Sequence, residues 1–247
     1  MQISTSGLVL RQVKVGEADQ ILTILTPDRG VLSASARGSL RLKSKLFSGC
    51  GLFCYSEFTL TTGRASNFVD AAAVKKVFHG LGRSVEGMAL AAYLAEALTV
   101  LSPEPPEAET LLRLTLNSLY MISEGKRPLP LIKAIFEMRA MSLSGYMPRI
   151  LACDRCGKYD GGAFYLDTSG GTLLCAGCAA QQNRSPNLDA GALYALRHIC
   201  LSEDGKLFAF NLSAASTEHL GKVAERYFLT NLDYTLKSLD FLHTVLA

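Results

Sequence analysis

The chain has 247 residues, 49% hydrophobic and 19% charged, with a net charge of +3. That composition excludes a disordered chain and gives one large domain or two modest ones an ample core. No apolar run approaches the ~18–20 residues of a membrane span. The N-terminus lacks a basic segment followed by an apolar one, so a cytoplasmic protein is expected.

The charge is unevenly placed. Residues 1–83 carry eleven Lys/Arg against five Asp/Glu, an excess of +6, whereas residues 84–247 carry fourteen against seventeen. Such asymmetry suggests an N-terminal module that faces a polyanion, with a plain solvated surface as the alternative.

The first part of the chain reads as strands. Gly7–Val13 is β-rich, and Gln20–Thr26 follows it. Pro27-Asp28-Arg29-Gly30 is a turn signal before a third strand, Val31–Ala36. Leu52–Thr62 alternates imperfectly, and Asn67–Phe78 makes the fifth strand. Five short strands in about 80 residues suggest a small barrel of the OB type, a common holder of single-stranded nucleic acid. From about Arg83 the pattern turns helical. Val85–Leu101, Glu107–Glu124 and Leu131–Ser144 are separated by prolines, and helical spacing returns at Leu188–Leu201 and Thr217–Leu236.

Four cysteines interrupt the helices as two pairs, Cys153-x-x-Cys156 and Cys175-x-x-Cys178. Two-residue spacing lets both thiolates of a pair reach one ion, and the intervening eighteen residues let the second pair complete a tetrahedron. One structural Zn²⁺ is expected, because four protein ligands leave no position for a reacting water. Arg149, Arg155 and Lys158 stand nearby to temper the site's negative charge. Cys50, Cys54 and Cys200 read as ordinary buried thiols.

The stretch from Arg29 to Ser56 contains no acidic residue. In Arg37-Gly38-Ser39-Leu40-Arg41-Leu42-Lys43-Ser44-Lys45, cations alternate with small or apolar residues. If extended, Arg41, Lys43 and Lys45 share one face and can follow a phosphate backbone. Arg37 and Arg29 belong to the same basic stretch, and Arg11, Lys14 and Arg64 are candidates to extend it. Contacts of this kind are salt-sensitive and largely blind to sequence. Phe47, Phe53, Tyr55, Phe58 and Phe68 lie near the strands, where filling the core competes with stacking on bases. No phosphate loop, zinc-protease helix or serine elbow is present, and the four histidines are scattered. An enzyme is therefore not expected.

Gly7-Leu8-Val9-Leu10, Gly16-Glu17-Ala18-Asp19-Gln20-Ile21-Leu22, Thr26-Pro27-Asp28-Arg29-Gly30 and Ala36-Arg37-Gly38 together resemble the opening of the bacterial RecO recombination-mediator family. So does Phe136-Glu137-Met138-Arg139 through Gly145-Tyr146-Met147-Pro148, leading into Cys153. The likeness runs along essentially the whole chain. Gln20 and Leu40 depart from it, standing where relatives often carry a basic residue. The resemblance implies binding of single- and double-stranded DNA, annealing of complementary strands, and engagement of the acidic C-terminal tail of single-strand-binding protein. With RecR, and often RecF, such proteins promote RecA loading and hydrolyse no nucleotide. Arg127, Lys133 and Arg139, flanking the third helix, are candidates for the acidic tail.

The expected fold is thus α+β and multidomain. Residues 1–80 form a five-stranded OB-fold barrel that binds DNA. Residues 81–247 form an all-helical domain with a four-cysteine, zinc-ribbon-like insert at 150–182. A zinc-ribbon/OB factor of transcription or RNA metabolism is the competing reading, and an enzyme with a site assembled only in space is another.

Overall fold

A computed structural model describes residues 1–63 and 66–246. The chain divides into two compact units, residues 1–125 with 236–247, and residues 126–235.

The first unit opens with β1 (Gln2–Val15), β2 (Asp19–Thr26), β3 (Gly30–Ala36), β4 (Tyr55–Thr62) and β5 (Asn67–Lys76). They close into a barrel in the order β1-β2-β3-β5-β4. Length lets β1 serve two neighbours, β4 through residues 2–8 and β2 through residues 8–15. A register shift between Val9 and Arg11 bends the strand between these two pairings. Parallel pairing of Ala34 and Ser35 with Asn67 and Phe68 completes the closure. Val9, Leu22, Ile24, Ala34, Phe58, Leu60 and Val69 fill the interior, as strand alternation dictates. Gly30 takes a positive φ of 65° at the β2–β3 turn that Pro27-Asp28-Arg29-Gly30 foretold.

After a 3₁₀ turn at His79–Arg83, α1 (Val85–Leu101) and α2 (Glu107–Ser123) follow. Ser84 caps α1 by accepting from the Gly87 N–H at 2.9 Å. Both helices contact barrel strands, so the compact unit extends past residue 80, where strand gives way to helix.

The second unit contains α3 (Leu129–Leu143), β6 (Phe164–Asp167), β7 (Thr172–Cys175), α4 (Ala176–Ala180), α5 (Ala190–Leu201) and α6 (Ala214–Leu232). α3 is buried along nearly its whole length, from Leu131 to Met141. It packs against α5 and α6 and forms the centre of the unit. A final helix, α7 (Lys237–Leu246), returns to the first unit and lies along α1. The sequence predicts one helix over Thr217–Leu236; the chain instead breaks at Asp233, whose φ of 49° ends α6. Glu96 of α1 then caps the next helix, accepting from the N–H groups of Lys237 and Ser238. Among the described residues no helix is long and apolar enough to cross a membrane.

Candidate nucleic-acid interface and metal centre

Residues 37–54 join β3 to β4 as a succession of turns. The chain is therefore not extended over Arg37–Lys45, and the condition under which Arg41, Lys43 and Lys45 would share one strand face is not met. The cause is local. Gly38 adopts a positive φ of 66°, its N–H donates to Asp19 Oδ1 at 2.7 Å, and the Leu40 N–H donates to the Ala18 carbonyl at 3.0 Å. Ser39 is buried, and its hydroxyl donates to the Ala36 carbonyl at 2.7 Å. Successive turns follow, from Arg41 N–H to Gly38 O and from Ser44 N–H to Arg41 O. Leu46 and Cys50 then enter the barrel core from the loop. Burial, followed by the neighbouring Cys54, pushes the Cys50 thiol up to about 12.

Pinned at both ends, the loop leaves Arg41, Lys43 and Lys45 exposed. Leu42 is 87% exposed between two of them. Arg37 is exposed too, but its guanidinium lies 4.5 Å from the centre of the Phe68 ring. Lys14 stands opposite Gln20, which stands opposite Ala36, so Lys14 lies at the loop's end of the barrel. Gln20 itself is buried beneath the loop and donates to the Cys50 carbonyl. Arg11 is exposed three residues earlier on β1. Arg29 is not part of this cluster. It sits in the β2–β3 turn, ~20 Å of strand from Ala36, beside Asp28 at 3.6 Å. Arg64 lies outside the described residues. Of the aromatic candidates, Phe53 and Phe58 are buried, Phe47 is exposed, and Tyr55 and Phe68 are half-buried.

The second constellation is the cysteine cluster. β6 and β7 form a hairpin that ends at Cys175, and α4 carries Cys178. The first pair sits on its own tight loop, closed by Gly157 N–H to Cys153 O at 2.9 Å. The Asp154 N–H donates to the Leu173 carbonyl at 2.7 Å and so ties that loop to β7. All four Sγ atoms lie within 4.8 Å of one another. Cys156 Sγ and Cys175 Sγ are 3.7 Å apart, close to the ~3.8 Å edge of a tetrahedron with 2.3 Å metal–sulfur bonds. Burial raises the Cys153 thiol, but N–H groups of Cys175, Cys156 and Arg155 overcome it and bring it down to about 6. Cys178 is pushed up to about 12, chiefly by its hydrogen bond to Cys175 and then by burial. Four crowded sulfurs with backbone donors aimed at them ionise together only around a cation, so the donor set fits a metal ion.

Arg197 of α5, which the sequence did not single out, holds this unit. Its guanidinium donates to the carbonyls of Ile150 and Leu151 at 2.8 Å and of Tyr159 at 2.5 Å, and lies 4.1 Å from the Tyr159 ring centre. Asn187 similarly pairs with both backbone groups of Leu166. The one arginine, beside His198 in the largely apolar Ala190–Leu201 pattern, was the available signal for the first.

Comparison with known proteins agrees with this architecture. Residues 1–78 match the family described as Recombination protein O N terminal, and residues 83–240 match Recombination protein O C terminal. The chain belongs to the RecO family. It is 35% identical over 244 residues to the DNA repair protein RecO of Acetivibrio thermocellus, covering 98% of this chain and 97% of that protein. The RecO of Alkaliphilus metalliredigens is 29% identical, covering 94% and 95%. That of Symbiobacterium thermophilum is 28% identical, covering 98% and 97%.

The cations expected to receive an acidic tail in this RecO chain have internal duties instead. Lys133 is buried, with its ammonium 2.6 Å from both Glu137 and Glu225. Burial disfavours that ammonium, but the two carboxylates outweigh it and its pKa is raised. Arg139 donates to the carbonyls of Ile199 and Cys200 and pairs with Asp204 at 2.8 Å. Arg127 donates twice to the Phe208 carbonyl and once to Asn211. α3 is a central helix, and its cations serve the unit's own carbonyls and carboxylates.

Proposed function

We propose that this chain is a non-enzymatic recombination mediator in DNA repair, binding single- and double-stranded DNA and annealing complementary strands. The observation that carries the reading is the pinned β3–β4 loop, which presents Arg41, Lys43 and Lys45 to solvent on an OB-like barrel in a RecO-family chain. Annealing requires two polyanions to approach. An array of cations neutralises phosphate and releases counterions, so that base pairing can nucleate between strands held side by side. Binding of this kind reads phosphate and not sequence. Lys14 borders the same end of the barrel, and Arg11 lies three residues back on β1; both extend the phosphate track.

In this reading the four cysteines hold one structural Zn²⁺, which fixes the two knuckles and takes no part in a reaction. RecR and the acidic tail of single-strand-binding protein are the partners, with RecF and RecA as functional associates, in the cytoplasm. The tail is assigned no residues, because Arg127, Lys133 and Arg139 are engaged within their own unit.

The test is annealing of complementary strands coated with cognate single-strand-binding protein, at low and high salt. Wild type is compared with an Arg41→Glu/Lys43→Glu/Lys45→Glu variant whose fold is checked by circular dichroism. Salt-sensitive annealing that the variant loses supports the reading. Absence of annealing by folded wild type overturns it.

A further inference from the structure

The outer surface of the barrel carries a continuous row that phosphate binding does not explain. Ladder partners share a sheet face. Val13 pairs with Ile21, Ile21 with Ser35, and Ser35 with Phe68. These four residues therefore run side by side across β1, β2, β3 and β5, a span of ~14 Å at ordinary strand spacing. Their neighbours in sequence fix the direction: Leu22, Ala34, Ala36 and Val69 belong to the core, so this row faces outward. Val13 is 40% and Ile21 41% exposed, and Phe68 is half-buried. Arg37 closes the row by lying over that ring. Arg11, two residues from Val13, shares its face and is exposed at the other side. Beside the row opens a groove of about 400 Å³, bounded by Ile21, Ser33, Ser35 and Asn67. That volume lies in the range of small-molecule sites, ~300–1,000 Å³.

We propose that this row is a nucleobase platform: Val13, Ile21 and the stack that Arg37 makes on Phe68 take the faces of unpaired bases, and the groove receives a base edge. The inference rests on the DNA-binding reading above and adds to it a preference for single strands. An apolar, aromatic surface flanked by cations suits a ligand with flat apolar faces on an anionic backbone, which is unpaired nucleic acid. Duplex bases keep their faces stacked on one another and cannot use it. The hydroxyls of Ser33 and Ser35 both donate and accept, so the groove tolerates any base. Arg37 then differs from Arg41, Lys43 and Lys45: it acts through its plane and not as a phosphate partner.

Abasic DNA separates the two kinds of contact, because it keeps the phosphates and lacks the bases. Wild type, Phe68→Ala, Phe68→Trp and Arg37→Gln are titrated with an oligothymidylate, an abasic strand of equal length and a duplex, at fixed low salt. Wild type prefers the oligothymidylate over the abasic strand by about 5- to 150-fold for each base that stacks. Phe68→Ala lowers that preference by the share of one stacked base, about 5- to 150-fold, while leaving abasic and duplex affinity within twofold, and Arg37→Gln lowers it less. Phe68→Trp retains it, and its indole fluorescence changes with the oligothymidylate but not with the abasic strand. Equal wild-type affinity for the oligothymidylate and the abasic strand overturns the platform, as does equal loss on both in Phe68→Ala with an unresponsive Phe68→Trp. Wild type that binds none of the three overturns the DNA-binding reading itself.

Discussion

Arg197 lies over the ring of Tyr159, 4.1 Å from its centre, and in the same position donates to the Tyr159 carbonyl. With its bonds to Ile150 and Leu151 it fastens both flanks of the first cysteine pair to α5. A planar, five-donor group can serve three carbonyls and stack at once, which an ammonium cannot.

Arg197→Ala is therefore expected to destabilise the second unit by about 2–4 kcal/mol, since hydrogen bonds from a charged donor are lost together with a stacked ring. Arg197→Lys should recover only a minor part. Chemical denaturation followed by the fluorescence of a reporter in residues 126–235 measures both. The rate at which a chelator removes metal should rise in the same order, and an unchanged rate would show that α5 does not hold the knuckle.

Much of the architecture was legible because local rules and tertiary structure agree. The Pro27–Gly30 turn, the strands around it and the Ser84-capped helix each follow from nearest neighbours. The cysteine cluster was legible because its spacing is itself the geometry. Residues 37–45 misled because alternating cations and small residues imitate a strand. Their turns are set by Asp19 and Ala18, which lie about twenty residues earlier in the chain. Lys133 and Arg139 misled for a different reason. Spacing alone does not say whether a helix has a solvent face, and α3 has almost none. The platform row was hidden because it is assembled from four strands, each giving one residue.

Lys133 between Glu137 and Glu225 makes a prediction with a pH sign. Lys133→Met leaves two carboxylates without the ammonium that neutralises them, so a loss of about 3–5 kcal/mol is expected. In the wild type the folded pKa of Lys133 is raised. Its contribution is fully present below the unfolded lysine value of ~10.4 and is lost as pH climbs through the folded one. Melting curves from pH 8 to 11.5 should show wild type losing an advantage on the alkaline side that Lys133→Met never had.

Removing the metal should be more damaging than removing any single surface cation. The purified protein is expected to contain one zinc per chain by atomic absorption, and Cys175→Ser to contain substantially less. Binding energy at such a site is folding energy, so a strong chelator should lower the melting temperature of wild type and leave that of Cys175→Ser little changed. Stoichiometric zinc in Cys175→Ser would remove the four-cysteine assignment.

The loop cations make the most quantitative case. Each phosphate contact contributes about one to the slope of log affinity against log salt, with a coefficient of ~0.9 on duplex and ~0.7 on single strands. Alanine at Arg41, Lys43 or Lys45 should therefore reduce that slope by about one and weaken binding about equally for all sequences. These side chains point into solvent from a backbone held by Asp19, Ala18 and Ala36. Their loss should leave the melting temperature unchanged, because exposed cations add little to stability. Arg29→Ala, at the far turn beside Asp28, should leave the slope alone. A slope that falls for Arg29→Ala and holds for all three loop variants would move the DNA track to the opposite end of the barrel.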